Sequence, residues 1–524
     1  MLQYSIKNEG TLAVHKVFNK LFNRISITVF FILIELLAVV GIVRSFDHYV
    51  PILGLLSLTV SVLVVLYLIR RDQASSIKIV WIIIILLVPG FGGLLYLLVG
   101  TQNPVRKMEA KIERAHQEIV PYLKQDRIVL DHLKEKDKRF LGTVKNLING
   151  SGYPLYEDTQ VEYFEFGEIM YAAMLEEVAK AERYIFLEYF IINEKSRMWQ
   201  DLLKLLIEKA KVGVDVRLIY DDFGSLTTFH LKNIAELRKS GIKVVNFNPF
   251  IPALAVKMNN RDHRKILVVD DKVAFNGGIN IADEYINEEN RFGIWKDTGL
   301  RIKGPAIASF TMMFLETWNA FCQPQEVLLD FAAYSYKGES FEKQGFVQPF
   351  AENPLTHDLL AEDTYIDILN QATDYVSIFT PYLIITDKMI HALQLASKRG
   401  VKVTIITPGI PDKPLIYRVT RSFYRVLMKA GVEIYEYSPG FVHAKSFVAD
   451  DKIAVVGTIN LDYRSLYLHF ECATLLYNAP MIKELKRDME QTLLSCRKVE
   501  REEIKRHFIG SIIDDVLQLF SPLM

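Results

Sequence analysis

Cysteine is scarce: Cys322, Cys472 and Cys496 are the only three in 524 residues. An odd, scattered set builds no disulfide framework and has no metal-ligand spacing, so these read as buried free thiols. Net charge is missing as well. Lys plus Arg and Asp plus Glu both number 62, for a formal net charge of +0. The basic footprint of bulk nucleic-acid binding is therefore absent, although a local basic groove stays compatible. No dense cluster of Asp and Glu suited to hard cations is apparent, so neither a metal nor any other cofactor is expected. A secretory leader is not expected, since it would show one short apolar core and a small-residue cleavage site, which the three apolar runs of residues 1–100 do not fit.

What the chain has instead is long apolar runs. Half of its residues are hydrophobic. Three runs fall within residues 1–100, at 25–43, 50–69 and 77–99. The first two reach the ~20 residues that a helix needs to cross the hydrocarbon layer. Glu35 sits inside the first, where it must face protein or water. Pro89-Gly90-Phe91-Gly92-Gly93 interrupts the third. The expectation is a multi-pass anchor in the cell membrane. Lys7, Lys16, Lys20 and Arg24 favour a cytoplasmic start, and Arg70, Arg71 and Lys78 favour a cytoplasmic loop after the second run. Three crossings would place the rest of the chain outside; a re-entrant third run would keep it inside. Arg106, Lys107, Lys111 and Arg114 follow directly, and the charge pattern leaves the side open. Residues 101–150 read as a juxtamembrane helical linker. Its cations could lie on anionic headgroups at ~1 kcal/mol each, or simply on a solvated face.

From residue 151 strand and helix alternate, and they do so twice. Tyr184–Ile192 reads as a buried strand, then a helix from Trp199 to about Ala210, then a strand from Gly213. Tyr375–Ile385, a helix from about Lys388 to Lys398 and a strand from Gly400 repeat the order. Leu237–Val244 and Leu427–Ile434 each read as a helix end capped by Gly and followed by a strand. The first copy carries about ten extra residues at Ile251–Asn260. The fold class is α/β, with tandem halves at 151–335 and 345–524 related by a pseudo-twofold and preceded by transmembrane helices. The second half is expected to end in C-terminal helices.

The strongest repeat is chemical. His263-x-Lys265-x4-Asp270 returns as His443-x-Lys445-x4-Asp450, followed by Gly277-Gly278-Ile279-Asn280 and Gly457-Thr458-Ile459-Asn460. His and Lys at i and i+2 on a strand share a face. Two such pairs in one pocket suit a phosphodiester. The ammoniums, with Asn280, Asn460 and the turn at Gly278 and Thr458, would bind the non-bridging oxygens. One imidazole attacks phosphorus and the other protonates the leaving alkoxide, then serves as base for the incoming alcohol. Asp270 and Asp450 complete the candidate catalytic set, but their opposite parity points to a structural part. Asp297 and Glu471, at comparable places in the two copies, are the candidate carboxylates that orient the imidazoles.

The paired motif resembles the phospholipase D superfamily, and within it the bacterial cardiolipin synthases. Trp81–Gly100 with its Pro-Gly pair, the continuations Ile281-Ala282-Asp283-Glu284-Tyr285 and Leu461-Asp462-Tyr463-Arg464-Ser465, and the end Phe520-Ser521-Pro522-Leu523-Met524 carry that narrower likeness. The family commonly shows two hydrophobic spans, and this chain offers three. The resemblance implies that one phosphatidylglycerol forms a phosphohistidine and releases glycerol, and that a second attacks to give cardiolipin. The partners implied are phosphatidylglycerol, other anionic phospholipids and the membrane, with no nucleic acid. A hydrolase releasing phosphatidic acid, or a nuclease of the superfamily, are the alternatives. The near symmetry of the two copies leaves open which histidine is the nucleophile.

Overall fold

The structure is a computed structural model that describes residues 50–71, 75–97, 106–250, 259–322, 331–356, 358–504 and 508–523. The run at 25–43, with Glu35, lies outside them, as does most of the Ile251–Asn260 insert. The chain divides into two compact units, Met1–Arg106 with Phe250–Met258, and Lys107–Pro249 with Asn259–Met524.

In the first unit the second apolar run forms one helix, Val50–Ile69, of 20 residues. Its described side chains begin at Gly54, and over the residues described in full no helix is both long and apolar enough to cross a membrane. The third run is not one helix. Ser75–Leu87 forms a helix of 13 residues, about 20 Å at 1.5 Å per residue. The chain then bends at Gly90, with φ +85°, and a short helix Phe91–Leu95 turns back on the first. The return is tight: a Cβ on Gly92 would lie 2.5 Å from the Ile84 carbonyl oxygen. The Gly90 N–H donates to Ser61 Oγ at 3.0 Å. Val64, Leu68, Trp81, Ile85 and Tyr96 form the small core. Leu55, Leu56, Leu63, Leu66 and Leu87 stay exposed.

The second unit holds two sheets of one design. The first comprises β1 (Gln160–Phe164), β2 (Tyr184–Tyr189), β3 (Asp215–Asp221), β4 (Lys243–Phe247), β6 (Lys265–Val269), β7 (Val273–Gly277) and β9 (Gly299–Lys303), with short β5 (Arg261–Asp262) and β8 (Ile294–Lys296) outside it. The second comprises β10 (Phe346–Glu352), β11 (Tyr375–Phe379), β13 (Lys402–Pro408), β14 (Glu433–Tyr437), β16 (Ser446–Ala449), β17 (Ile453–Gly457), β19 (His469–Tyr477) and β20 (Cys496–Lys498). Short β12 (Leu383–Ile384), β15 (Gly440–Val442) and β18 (Leu461–Asp462) stand apart. The strand orders are β1-β9-β7-β6-β2-β3-β4 and β10-β19-β17-β16-β11-β13-β14-β20. Strand for strand the first seven correspond, so the sequence repeat is a structural repeat. In each copy three strands run parallel through helical crossovers, and the motif strand joins them antiparallel.

Local chemistry explains the elements. Helix Arg197–Lys211 starts at Ser196, whose Oγ accepts the Trp199 N–H at 3.1 Å, an N-cap. Gly213, Gly241, Gly400 and Gly431 all take φ between 88° and 104°, where a side chain would be strained. Each supplies the turn from a crossover helix to the next strand.

Helix Ile307–Phe321 lies between the sheets, with 12 of its 15 residues buried. Each large apolar side chain buried there contributes ~1.5–3 kcal/mol. One core cluster runs through it and takes residues from both halves; two others back the outer faces of the sheets. The helices at 106–119, 127–136 and 140–151 pack into these cores through Ile112, Ile119, Leu133, Val144 and Leu147. Of the stretch expected to be a helical linker, residues 107–151 belong to the second unit.

Candidate active site

The two halves exchange strands at the site. β5 ends at Asp262, just before His263, and pairs with the start of β19 in the other half. β15 ends at Val442, just before His443, and pairs with β8 of the first half. The His263 N–H donates to the Phe470 carbonyl at 2.9 Å, and the His443 N–H to the Lys296 carbonyl at 2.7 Å. The next residue on each partner strand is a carboxylate. Nδ1 of His263 lies 2.9 Å from Glu471, and Nδ1 of His443 lies 2.6 Å from Asp297. Both carboxylates are fully buried. Each imidazole is thus held by an acid of the opposite half, and each has Nε2 left for chemistry.

The two lysines join them. Lys265 and Lys445 are both 2% exposed, and both histidines 7%. Lys265 Nζ donates to its own His263 carbonyl at 2.6 Å, and Lys445 does the same to His443. An ammonium has three N–H groups, so each keeps donors for a ligand. The four side chains share one electrostatic neighbourhood. Burial, then Lys265, His469, Lys445 and His443, hold His263 well below the usual imidazole range. Burial and Lys445 push His443 down to about 4, against the pull of Asp297. Burial pushes Lys265 down to about 8 and Lys445 to about 7. Burial would raise Asp297, but His443 and Lys445 outweigh it and keep it below its ordinary value. Burial raises Glu471 well above its own, with Lys265 opposing. The two imidazoles, both held below their ordinary range, and the two buried lysines thus feel one another's charge.

Other sequence candidates stand elsewhere. Asp270 accepts the backbone N–H groups of Glu182, Arg183 and Tyr184 at 3.0, 2.8 and 2.8 Å. Asp450 accepts those of Thr373, Asp374 and Tyr375 at 2.7, 2.9 and 2.9 Å. Both have φ near +50° and clamp the start of the neighbouring strand. Each is five residues beyond its Lys, roughly 16 Å along a strand, so neither meets the imidazoles. Asn280 is also occupied: its Oδ1 accepts from the Ile191 N–H at 3.0 Å and its Nδ2 donates to Tyr285 OH at 2.8 Å. Asn460 is buried and bonds Asp462. The N–H groups of Gly278 and Thr458 go to the carbonyls of Thr298 and Cys472 at 3.0 and 2.9 Å. They are therefore closed to an oxyanion. Both residues serve the orienting acids instead. A Cβ on Gly278 would lie 2.0 Å from Asp297 Oδ1, and Thr458 Oγ1 donates to Glu471.

Sequence reasoning missed the rings that stand beside the imidazoles. Tyr285 and Trp295 stand with ring centroids 5.3 Å from His443. Phe190 is 5.0 Å and His469 5.5 Å from His263. His469 was findable, because it lies two residues before Glu471 on one strand and so shares its face.

Residues 174–314 and 365–493 match the family model described as cardiolipin synthase, phospholipase D-like domain. The chain belongs to the cardiolipin synthase family. It is a phosphatidyltransferase of the phospholipase D type. Residues 58–100 match a second model, phospholipase D-nuclease N-terminal. The cardiolipin synthase of Alkalihalophilus pseudofirmus is 31% identical over 516 residues, 96% of this chain and 100% of that one. That of Clostridium perfringens is 34% identical over 453 residues, 85% of this chain and 93% of the other. An uncharacterized protein of Streptococcus mutans is 44% identical over 462 residues, 88% and 99% of the two chains. The crystal structure of phosphatidylserine synthase from Haemophilus influenzae superposes on 73% of this enzyme and 97% of its own chain, with TM-score 0.57 and 15% identity. That likeness supports the fold.

Proposed function

We propose that this enzyme makes cardiolipin from two phosphatidylglycerol molecules. The observation that carries the reading is the exchanged pair of acid–imidazole contacts with two buried lysines beside them. One Nε2 attacks phosphorus as the P–O bond to glycerol breaks; the other imidazole, which takes up a proton at Nε2 as the anionic substrate binds, gives that proton to the leaving oxygen. The same imidazole then takes the proton of a hydroxyl on the second phosphatidylglycerol, whose oxygen displaces the first histidine. One phosphodiester replaces another, so no nucleotide is needed. Lys265 and Lys445 neutralise the non-bridging oxygens from buried positions, where such contacts are strongest. Burial of the imidazoles favours transfer to an alcohol over hydrolysis. Labelled phosphatidylglycerol separated by thin-layer chromatography tests this: cardiolipin plus glycerol supports it, and phosphatidic acid as the main product overturns it.

The first unit is read as a multi-pass anchor in the cell membrane. Its exposed leucines suit lipid, and the folded-back pieces at 75–87 and 91–95 suit a re-entrant loop. With the runs at 25–43 and 50–69 crossing, Arg70, Arg71 and the catalytic residues fall on the cytoplasmic side. Cysteines placed at Arg70 and at the exposed Val212 should both resist an impermeant thiol reagent in intact cells and react in opened ones. Labelling of either in intact cells overturns that topology.

A further inference from the structure

His263 has a neighbour that the reaction above does not use. His469 is 8% exposed, and its ring stands 5.5 Å from that of His263. Its Nδ1 has no hydrogen-bond partner among the described residues and lies 3.9 Å from Glu471 Oε1. A buried polar atom left unpaired costs ~1–3 kcal/mol. The pseudo-twofold equivalent of His469 is Trp295, so His443 has no such companion. One nitrogen of His263, one of His469 and a carboxylate oxygen of Glu471 all lie within 4.8 Å of one another. A four-coordinate zinc with bonds of ~2.0–2.2 Å sets its ligand atoms roughly 3.3 Å apart. The separations to Glu471, 2.9 Å from His263 and 3.9 Å from His469, straddle that value. Two imidazoles and one carboxylate, with a position left open, form a zinc donor set.

We propose that His263, His469 and Glu471 form an inhibitory site for a divalent transition ion of the zinc type. The sense of the inhibition rests on the reaction proposed above; the binding does not. Lys265, Arg261 and Arg464 act on His469, and Lys445 acts on His263. These cations oppose any ion held by charge alone. Mg²⁺ and Ca²⁺, which seek oxygen ligands, are therefore excluded; an ion bonded through imidazole nitrogen is not.

The chemistry follows from the tautomer. In the resting pair, Nδ1–H of His263 donates to Glu471 and the lone pair sits on Nε2. A metal on Nδ1 takes the lone pair there, and the proton passes to Nε2 with no net change. An Nε2–H can neither attack phosphorus nor accept the proton of an alcohol. As nucleophile His263 is blocked at the first step, and as the acid–base partner it is blocked when it must accept the alcohol's proton.

The test uses the full chain in detergent micelles. Zn²⁺ is titrated against turnover of labelled phosphatidylglycerol, and Co²⁺ is titrated without substrate as a visible-absorption probe. Expected are inhibition by Zn²⁺ that a chelator reverses, none by Mg²⁺, and a tetrahedral Co²⁺ spectrum. His469→Phe and His469→Asn should each weaken Co²⁺ binding by about tenfold to hundredfold. Their zinc sensitivity should fall in parallel, each rate being referred to the variant's own metal-free rate. His230→Gln, which alters the exposed His230–Glu194 pair, should change neither. Unchanged Co²⁺ affinity in either folded His469 variant, or its loss in His230→Gln, overturns the proposal. If the lipid reaction failed, the Co²⁺ titration would stand unaffected.

Discussion

Glu471 reaches across 208 residues of sequence to hold Nδ1 of His263 at 2.9 Å, from the half that carries the other histidine. Asp297 returns the contact to His443 at 2.6 Å. Replacing either acid by its amide should leave the fold intact and present the wrong ring tautomer to the substrate. Glu471→Gln and Asp297→Asn are each expected to lower kcat by ~10²–10⁴-fold with melting temperature nearly unchanged. Steady-state turnover beside thermal melts checks this. A change under threefold in both variants would remove the orienting role.

The pH profile follows from the lysines. Lys445 and Lys265, pushed down to about 7 and about 8, lose their charge as pH rises through that window. The anionic substrate then binds less well, so kcat/KM should fall on the alkaline side. On the acid side, protonation of the nucleophilic imidazole removes its lone pair and activity falls again, near pH 4 where His443 is that nucleophile. A bound phosphodiester raises the pKa of the ammoniums, so kcat should hold to higher pH than kcat/KM. Alkaline limbs that coincide in the two profiles would contradict this.

Asp270 separates stability from chemistry. Asp270→Ala leaves three strand-start N–H groups of β2 without their acceptor and puts Ala at a φ of 52°. Lost bonds and strain together should cost ~2–4 kcal/mol. The melting temperature should drop by several degrees, while the folded fraction keeps kcat within a few-fold. Abolished turnover in fully folded protein would return Asp270 to the catalytic set.

Gly278 has no room for a methyl group, because Asp297 Oδ1 occupies the place. Gly278→Ala should displace that acid and reproduce the Asp297→Asn defect, at a further stability cost of ~1–3 kcal/mol. Double-mutant kinetics should show the two defects failing to add. Full additivity would mean that they act separately.

Much of this was legible from residue order. The 180-residue offset of the motifs, the helix–Gly–strand pattern and the period-two rule that pairs His with Lys all reflect local backbone geometry, and local geometry is written in sequence. The helix at 50–69 was legible for the same reason. What could not be read was which copy supplies which carboxylate. β5 pairs with β19, and β15 with β8, through two- and three-residue strands too short to leave a pattern. The contact of Asn280 with Tyr285 was not legible either, since an amide aimed at a ligand and one aimed at a neighbouring tyrosine look alike in a motif. Gly278 and Thr458 looked like parts of an anion-binding turn, but packing against the acids decides them.

The strand exchange has an ancestral implication. A lone repeat would own an imidazole and a lysine but would present its acid to a vacant place. Two identical copies, docked about a true dyad, would complete both centres at once through a self-complementary contact. Fusion of two such copies would free the centres to diverge, and here they differ: glutamate with a histidine neighbour on one side, aspartate with tryptophan on the other.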